Sequence, residues 1–317
     1  MQIWALIVDS FREARDRKIF WVLIAISVLV AVAMSAVSFD DTGINLLFGL
    51  KTIAYDQFQM GGSMEPTQLR RAFAAGGAVN IMDSYMGLIG LSLAIVATAG
   101  IFPNFMERGA IDVVLAKPLP RWKLFVGKYI GSMAFVLVQA TIFIVLTFLV
   151  IGLRWKTWLP GYLLGIPLLV IMFSYIYCVC ALVGVMTRST LTAILLSFAA
   201  WFVFFIPQAA YGIFQFVPEW KESKVFPVVK AVRWVLPKTA DIAYIAARWT
   251  GANEAVDALP RQPPAGFDPE YDARVKRVQG LTEAQLSITA AKSIGSSLAF
   301  ELLIVLWAMR RFCRLDF

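Results

Sequence analysis

The 317-residue sequence contains no histidine. This removes the Ser-His-Asp relay, the His-Glu-x-x-His zinc site and histidine proton relays at a stroke. Glu301 is the most conspicuous of the remaining reactive side chains, because it lies inside an apolar run. It stands nine residues before Arg310, roughly 13 Å along a helix at ~1.5 Å per residue. An ionisable group at that depth in a bilayer costs at least about 2–3 kcal/mol and normally has a partner or faces a cavity. Two readings stand for Glu301: a wall of a path through the membrane, or a protonated carboxyl hydrogen-bonded to a neighbouring helix. Cys178 and Cys180, with Met172 and Met186, have the softness to pass a thiophilic metal. Positions two apart on a helix point to different faces, however, so these residues read as packing and no metal site is expected. Gly127-Lys128 has the look of the end of a P-loop, but Tyr129 replaces the required Ser or Thr and Trp122 fills the first glycine position. No strand precedes it, so no nucleotide or other cofactor is expected on this chain. The Lys292-Ser293 neighbourhood could serve a membrane-embedded hydrolase, yet no second catalytic group pairs with it and no catalytic residue is assigned.

The elements that must position these residues follow from composition. Hydrophobic residues make up 59% of the chain and charged ones only 16%, against about 45–50% and 25% in soluble domains. The lipid bilayer is therefore the solvent. Runs of the required length, about 20 residues for a ~30 Å hydrocarbon core, occur at Ile19–Ser38, Ser84–Pro103, Tyr129–Gly152, Leu159–Met186, Leu191–Phe214 and Ala290–Met309. An all-α membrane protein of six transmembrane helices, forming a single domain over 1–317, is the expected fold. The net charge of +8 sits in short clusters flanking these runs, which argues for membrane orientation and against nucleic acid. Arg12, Arg15, Arg17 and Lys18, the cluster Arg108 to Lys128, Arg188, and Arg310, Arg311 and Arg314 all fall on one side if six spans alternate. That side is read as the cytoplasm, with both termini in it. Phe39–Asp83 and the long Gln215–Thr289 segment then lie outside. Cys178, Cys180 and Cys313 form no disulfide framework.

Within residues 1–18, Trp4, Ile7, Phe11 and Ala14 repeat at helical spacing, describing an amphipathic helix on the inner leaflet. Ile242, Ile245 and Trp249 repeat similarly, and Thr282 with Gln285 reads as a capping box that starts the last helix near Glu283. Gly127 with Gly131, and Ala291 with Gly295 and Ala299, form small-residue ridges, read first as packing within one bundle. The loop 104–128 carries Ile111, Val114 and Leu115 on one helical face, with Lys117-Pro118 stopping the helix. Such a helix can press on a cytoplasmic partner, or it can be a solvated connector.

Glu107-Arg108-Gly109, Ile111-Asp112, Lys117-Pro118, Arg121 and Gly127-Lys128 together resemble the loop of permease subunits of ABC transporters of the ABC-2 class. Phe11-Arg12-Glu13-Ala14 with Arg17-Lys18 is similar to the segment before their first span, especially in the branch with the nitrous oxide reductase maturation and gliding-motility permeases. The resemblance implies a type V exporter-like transmembrane domain in the bacterial cytoplasmic membrane, paired as a homodimer. It also implies two separate ABC ATPase subunits, which bind the ATP and Mg. By the same resemblance Ile3–Lys18 is a connecting helix, and Asn104–Ala116 a coupling helix. Docking on the ATPase then falls to Glu107, Arg108, Gly109, Ile111, Asp112, Lys117 and Arg121, and Pro218–Trp249 includes short re-entrant helices. Gln215–Thr289 is long for the family and leaves room for a third, extracytoplasmic component. The competing expectation is a membrane scaffold or assembly subunit without transport, whose spans should lack a buried charge such as Glu301.

Overall fold

The computed structural model describes residues 12, 15, 18–40, 43–54, 66–85, 89–107, 120–216, 220, 223–250 and 289–315. Nearly all of the connecting helix, and Arg108, Gly109, Ile111, Asp112 and Lys117 of the docking loop, lie outside them. So do 251–288, with the capping box expected before the last helix.

Among the described residues five helices are long and apolar enough to cross a membrane. They are α1 (Lys18–Ser35), α5 (Arg121–Arg154), α6 (Gly165–Thr187), α7 (Thr190–Phe216) and α10 (Ala290–Cys313). Between α1 and α5 come α2 (Pro66–Ser84), α3 (Gly90–Thr98) and α4 (Ile101–Phe105). After α7 come α8 (Phe226–Val235) and α9 (Thr239–Trp249).

The apolar run at 84–103 does not form one helix of that extent. Helix α2 ends at Ser84, and the apolar stretch resumes as α3 and α4 with a break at Ala99–Gly100. Pro103 explains the break: it has no N–H to give the carbonyl of Ala99, so the ladder is interrupted one turn before it. Asn104 and Met106 resume the bonding, to Gly100 O at 2.9 Å and Phe102 O at 3.1 Å. The stretch Gly90–Phe105 is apolar but shorter than the five long helices.

Helix α6 is the centre of the bundle and the most buried of the five long helices, whereas α7 is the least buried. It packs against α5, α7 and α10, and also against α3, α4 and α9. Its core is aromatic, with Tyr175, Tyr177 and Phe173 all shielded. The link to α7 is short because Arg188 takes a left-handed conformation at φ 53° and closes α6 through a bond to Gly184 O.

The stretch Phe39–Asp83 holds more structure than a loop. Strands β1 (Ser38–Phe39), β2 (Gly43–Leu46) and β3 (Lys51–Ala54) form an antiparallel sheet with Phe39 opposite Ile44 and Asn45 opposite Thr52. Phe39 turns inward onto Trp155, edge to face at 5.1 Å, fixing the sheet to the end of α5. Helix α2 buries its alanines, Ala74, Ala75 and Ala78, and packs on α5 and α9.

Candidate functional site

Glu301 lies near the middle of α10 and both of its carboxylate oxygens are taken. Tyr129 Oη of α5 donates to Oε1 at 2.9 Å, and Ser174 Oγ of α6 donates to Oε2 at 2.8 Å. Three helices are thus clasped at one point. The geometry gives Glu301 interhelical partners on α5 and α6. The neighbouring hydroxyls are also paired: Ser132 Oγ and Tyr177 Oη are 2.6 Å apart, and the rings of Tyr129 and Tyr177 are 5.3 Å apart.

Glu301 belongs to a stripe. Ser293, Ser297 and Glu301 repeat every four residues on α10 and face inward together, since Ser293 and Ser297 are buried. Ser293 Oγ donates to Asp241 Oδ2 at 2.7 Å, and the other oxygen of Asp241 receives Arg233 Nη2 at 2.6 Å. The Arg233 guanidinium also lies over the ring of Tyr211 at 4.2 Å. Ser297 Oγ accepts the backbone N–H of Lys238 at 3.0 Å, and Lys238 Nζ donates to Ser296 Oγ at 2.6 Å. Burial pulls the Lys238 ammonium below the usual lysine value, Asp241 opposes that shift, and Arg233 adds to it. Gln208 of α7 completes the corner, donating to Pro237 O at 3.0 Å and accepting from Ala240 N at 2.7 Å. The α8–α9 hairpin is therefore bound through polar contacts to α7 and α10.

Sequence reasoning marked the apolar spacing of α9 and passed over Asp241. The available signal was an acidic residue on an apolar face, as Asp241 shares its buried side with Ile242, Ile245 and Ala246.

At the opposite end, the described part of the docking loop is its two roots. Glu107 is exposed just beyond α4. Arg121, expected as a docking residue, donates through Nη1 to Cys313 O at 3.2 Å and to Leu315 O at 2.5 Å. It thereby satisfies carbonyls at the end of α10, which have no partner within the helix. Phe105 and Phe125 both pack on Phe312, at 6.2 and 5.9 Å. Both roots are pinned to the helix that carries Glu301. Lys128, placed in the loop by sequence, is buried inside α5 with its ammonium 5.1 Å from the ring of Phe105. Gly127-Lys128 accordingly lies within a helix.

Cys178 and Cys180 are both buried in α6, and Cys178 Sγ donates to Tyr175 O at 3.1 Å. The small-residue ridges part company. Gly127 and Gly131 are buried in α5, whereas Ala291, Gly295 and Ala299 are exposed, with open space over Gly295. Among the described residues the second ridge has no packing partner, because α10 turns its Ser293–Ser297 face inward instead.

Over residues 4–316 the chain matches the family described as ABC-2 family transporter protein. The chain belongs to the ABC-2 transporter family. A search of curated proteins finds no match. Membership makes this helical bundle a multi-pass ABC transporter permease, and gives the polar stripe of α10 and the pinned loop roots a common setting.

Proposed function

We propose that this permease is the membrane subunit of an ATP-driven transporter, paired as a homodimer in the bacterial cytoplasmic membrane with both termini in the cytoplasm. Two separate ABC ATPase subunits hold the ATP and Mg and dock on the loop 104–128 through Glu107, Arg108, Gly109, Ile111, Asp112 and Lys117. Arg121 acts as a positioning residue behind that surface. The observation that carries the reading is the attachment of both loop roots to the end of α10, through Arg121 and through Phe312. A push on the loop moves α10 as a lever. That helix holds Glu301 in its middle and the α8–α9 hairpin at its other end. The basic clusters around the loop and the C-terminus support the orientation.

Purification of the complex followed by ATPase assay in vesicles tests this. A nucleotide-binding ATPase is expected to co-purify, and Arg108→Glu or Asp112→Arg should uncouple its turnover while the permease still inserts. Absence of any ATPase from the purified complex, or labelling of a cysteine at position 112 from outside intact cells, would overturn the reading.

A further inference from the structure

The turn between β2 and β3 presents an apolar tip to its surroundings. Leu47, Phe48 and Leu50 are 62%, 65% and 86% exposed, values expected of polar turn residues in water. Leu47 and Phe48 adopt φ of 51° and 60°, a region that bulky residues rarely enter. The tip is nevertheless held in place, since Phe48 N donates to Ala36 O at 3.0 Å and Arg154 lies over the Phe48 ring at 5.6 Å.

The height of this tip relative to the bilayer follows from α1. Its 18 residues span about 27 Å at 1.5 Å per residue, close to the ~30 Å of a hydrocarbon core. Ala36, one residue past its end, therefore marks a hydrocarbon boundary. Helix α5 ends at the same level, because Arg154 Nε donates to Ser35 O at 2.9 Å. Leu29 and Val32 of α1 and Leu153 of α5 continue the exposed apolar surface downward from the tip. Lys51, Arg154 and Lys156 ring it at headgroup height, and among the described residues Asp40, bonded to Lys156 at 2.8 Å, opposes their charge.

We infer that the Leu47–Leu50 tip inserts into the adjacent leaflet, with Lys51 and Arg154 binding the phosphates of anionic phospholipids. Apolar side chains at the acyl boundary beneath a basic collar are the composition of an interfacial anchor. The anchor ties the small sheet, and through Phe39 and Trp155 the end of α5, to the lipid surface.

An environment-sensitive fluorophore on Leu50→Cys in a Cys313→Ser background tests this in the full-length protein, reconstituted into phosphatidylcholine vesicles with or without phosphatidylglycerol. Cys178 and Cys180 are buried and do not compete for label. The expected result is blue-shifted emission, quenched by lipid carrying a nitroxide near the headgroup and untouched by aqueous iodide. Quenching should be stronger with phosphatidylglycerol, and Lys51→Gln should remove that increment. Leu47→Asn with Phe48→Asn should return the probe to water, which separates insertion of the tip from insertion of the dye alone. Iodide quenching of the parent protein, or self-quenching with disulfide cross-linking between two copies at position 50, would overturn the proposal. An increment unaltered by Lys51→Gln would overturn its phosphate half.

Discussion

Replacing Asp241 by Ala should destabilise the permease by about 4 kcal/mol, most of it from the charge left stranded on Arg233. The Asp241 side chain is 3% exposed and that of Arg233 is 16% exposed, so both charges are largely out of water. Removing one member of such a pair strands the other, at a cost of about 3–5 kcal/mol. The residual exposure of Arg233 and its stack on Tyr211 point to the lower end, about 3 kcal/mol. Ser293 loses its acceptor as well, adding about 1 kcal/mol. The double variant Arg233→Met with Asp241→Leu removes both charges together. Only the serine is then left without its partner, and the expected loss falls to about 1 kcal/mol. The assay is denaturation of the purified full-length protein followed by tryptophan fluorescence. A single variant within about 1 kcal/mol of wild type, or a double variant as damaged as the single, would refute the argument that a stranded charge dominates.

Glu301→Gln should keep wild-type stability, because the amide can accept from Tyr129 and donate to Ser174. Glu301→Leu should lose about 0.6–1.7 kcal/mol in thermal unfolding, the range for a side-chain hydrogen bond in a membrane. That loss comes from Tyr129 alone, since Ser174 keeps its bond to Ile171 O at 2.8 Å. Altered ATPase stimulation in the Gln variant of the assembled complex would favour the path reading. Gly161→Ala should lower the yield of folded protein, because a Cβ there would fall on the backbone carbonyl of Trp249, which cannot move aside as a side chain could; overpacking of this kind costs about 1–3 kcal/mol or more. The bond from Lys156, with its charge and that of Arg154, holds the Asp40 carboxyl below its ordinary 3.8. A depressed value means the contribution is present above pH ~3.8 and lost as pH falls through the folded value. The pair is solvent-screened, so the loss is at most about 1 kcal/mol. An acid titration of Asp40→Asn should lack it, and an identical acid limb in wild type and variant would remove the pair from the account.

What sequence could and could not reveal divides along the physics of periodicity. Long apolar runs report the solvent directly, so a helical membrane protein was legible from composition, and the depth of Glu301 followed from counting residues to Arg310. The same counting missed the break at Ala99–Gly100, which Pro103 announces by its missing N–H; a run of hydropathy has no term for one absent donor. The sheet of Ser38–Ala54 escaped because its strands are only two to four residues long and its exposed Leu47 and Phe48 offer no polar turn signal. Partners of charged groups are the hardest to read, because they depend on distances along the chain that no local pattern encodes. Ser293 and Asp241 are 52 positions apart, and Arg121 and Leu315 are 194. Each of these contacts ends on α10 or just beyond it. Helix α10 is the least apolar of the five long helices, and its inward face is polar. Weak hydropathy in a transmembrane helix is thus informative in itself: serines and a carboxylate at four-residue spacing are tolerated in lipid only when other helices supply their partners. For this permease that argument alone would have directed attention to α10 as the helix on which both ends of the molecule converge.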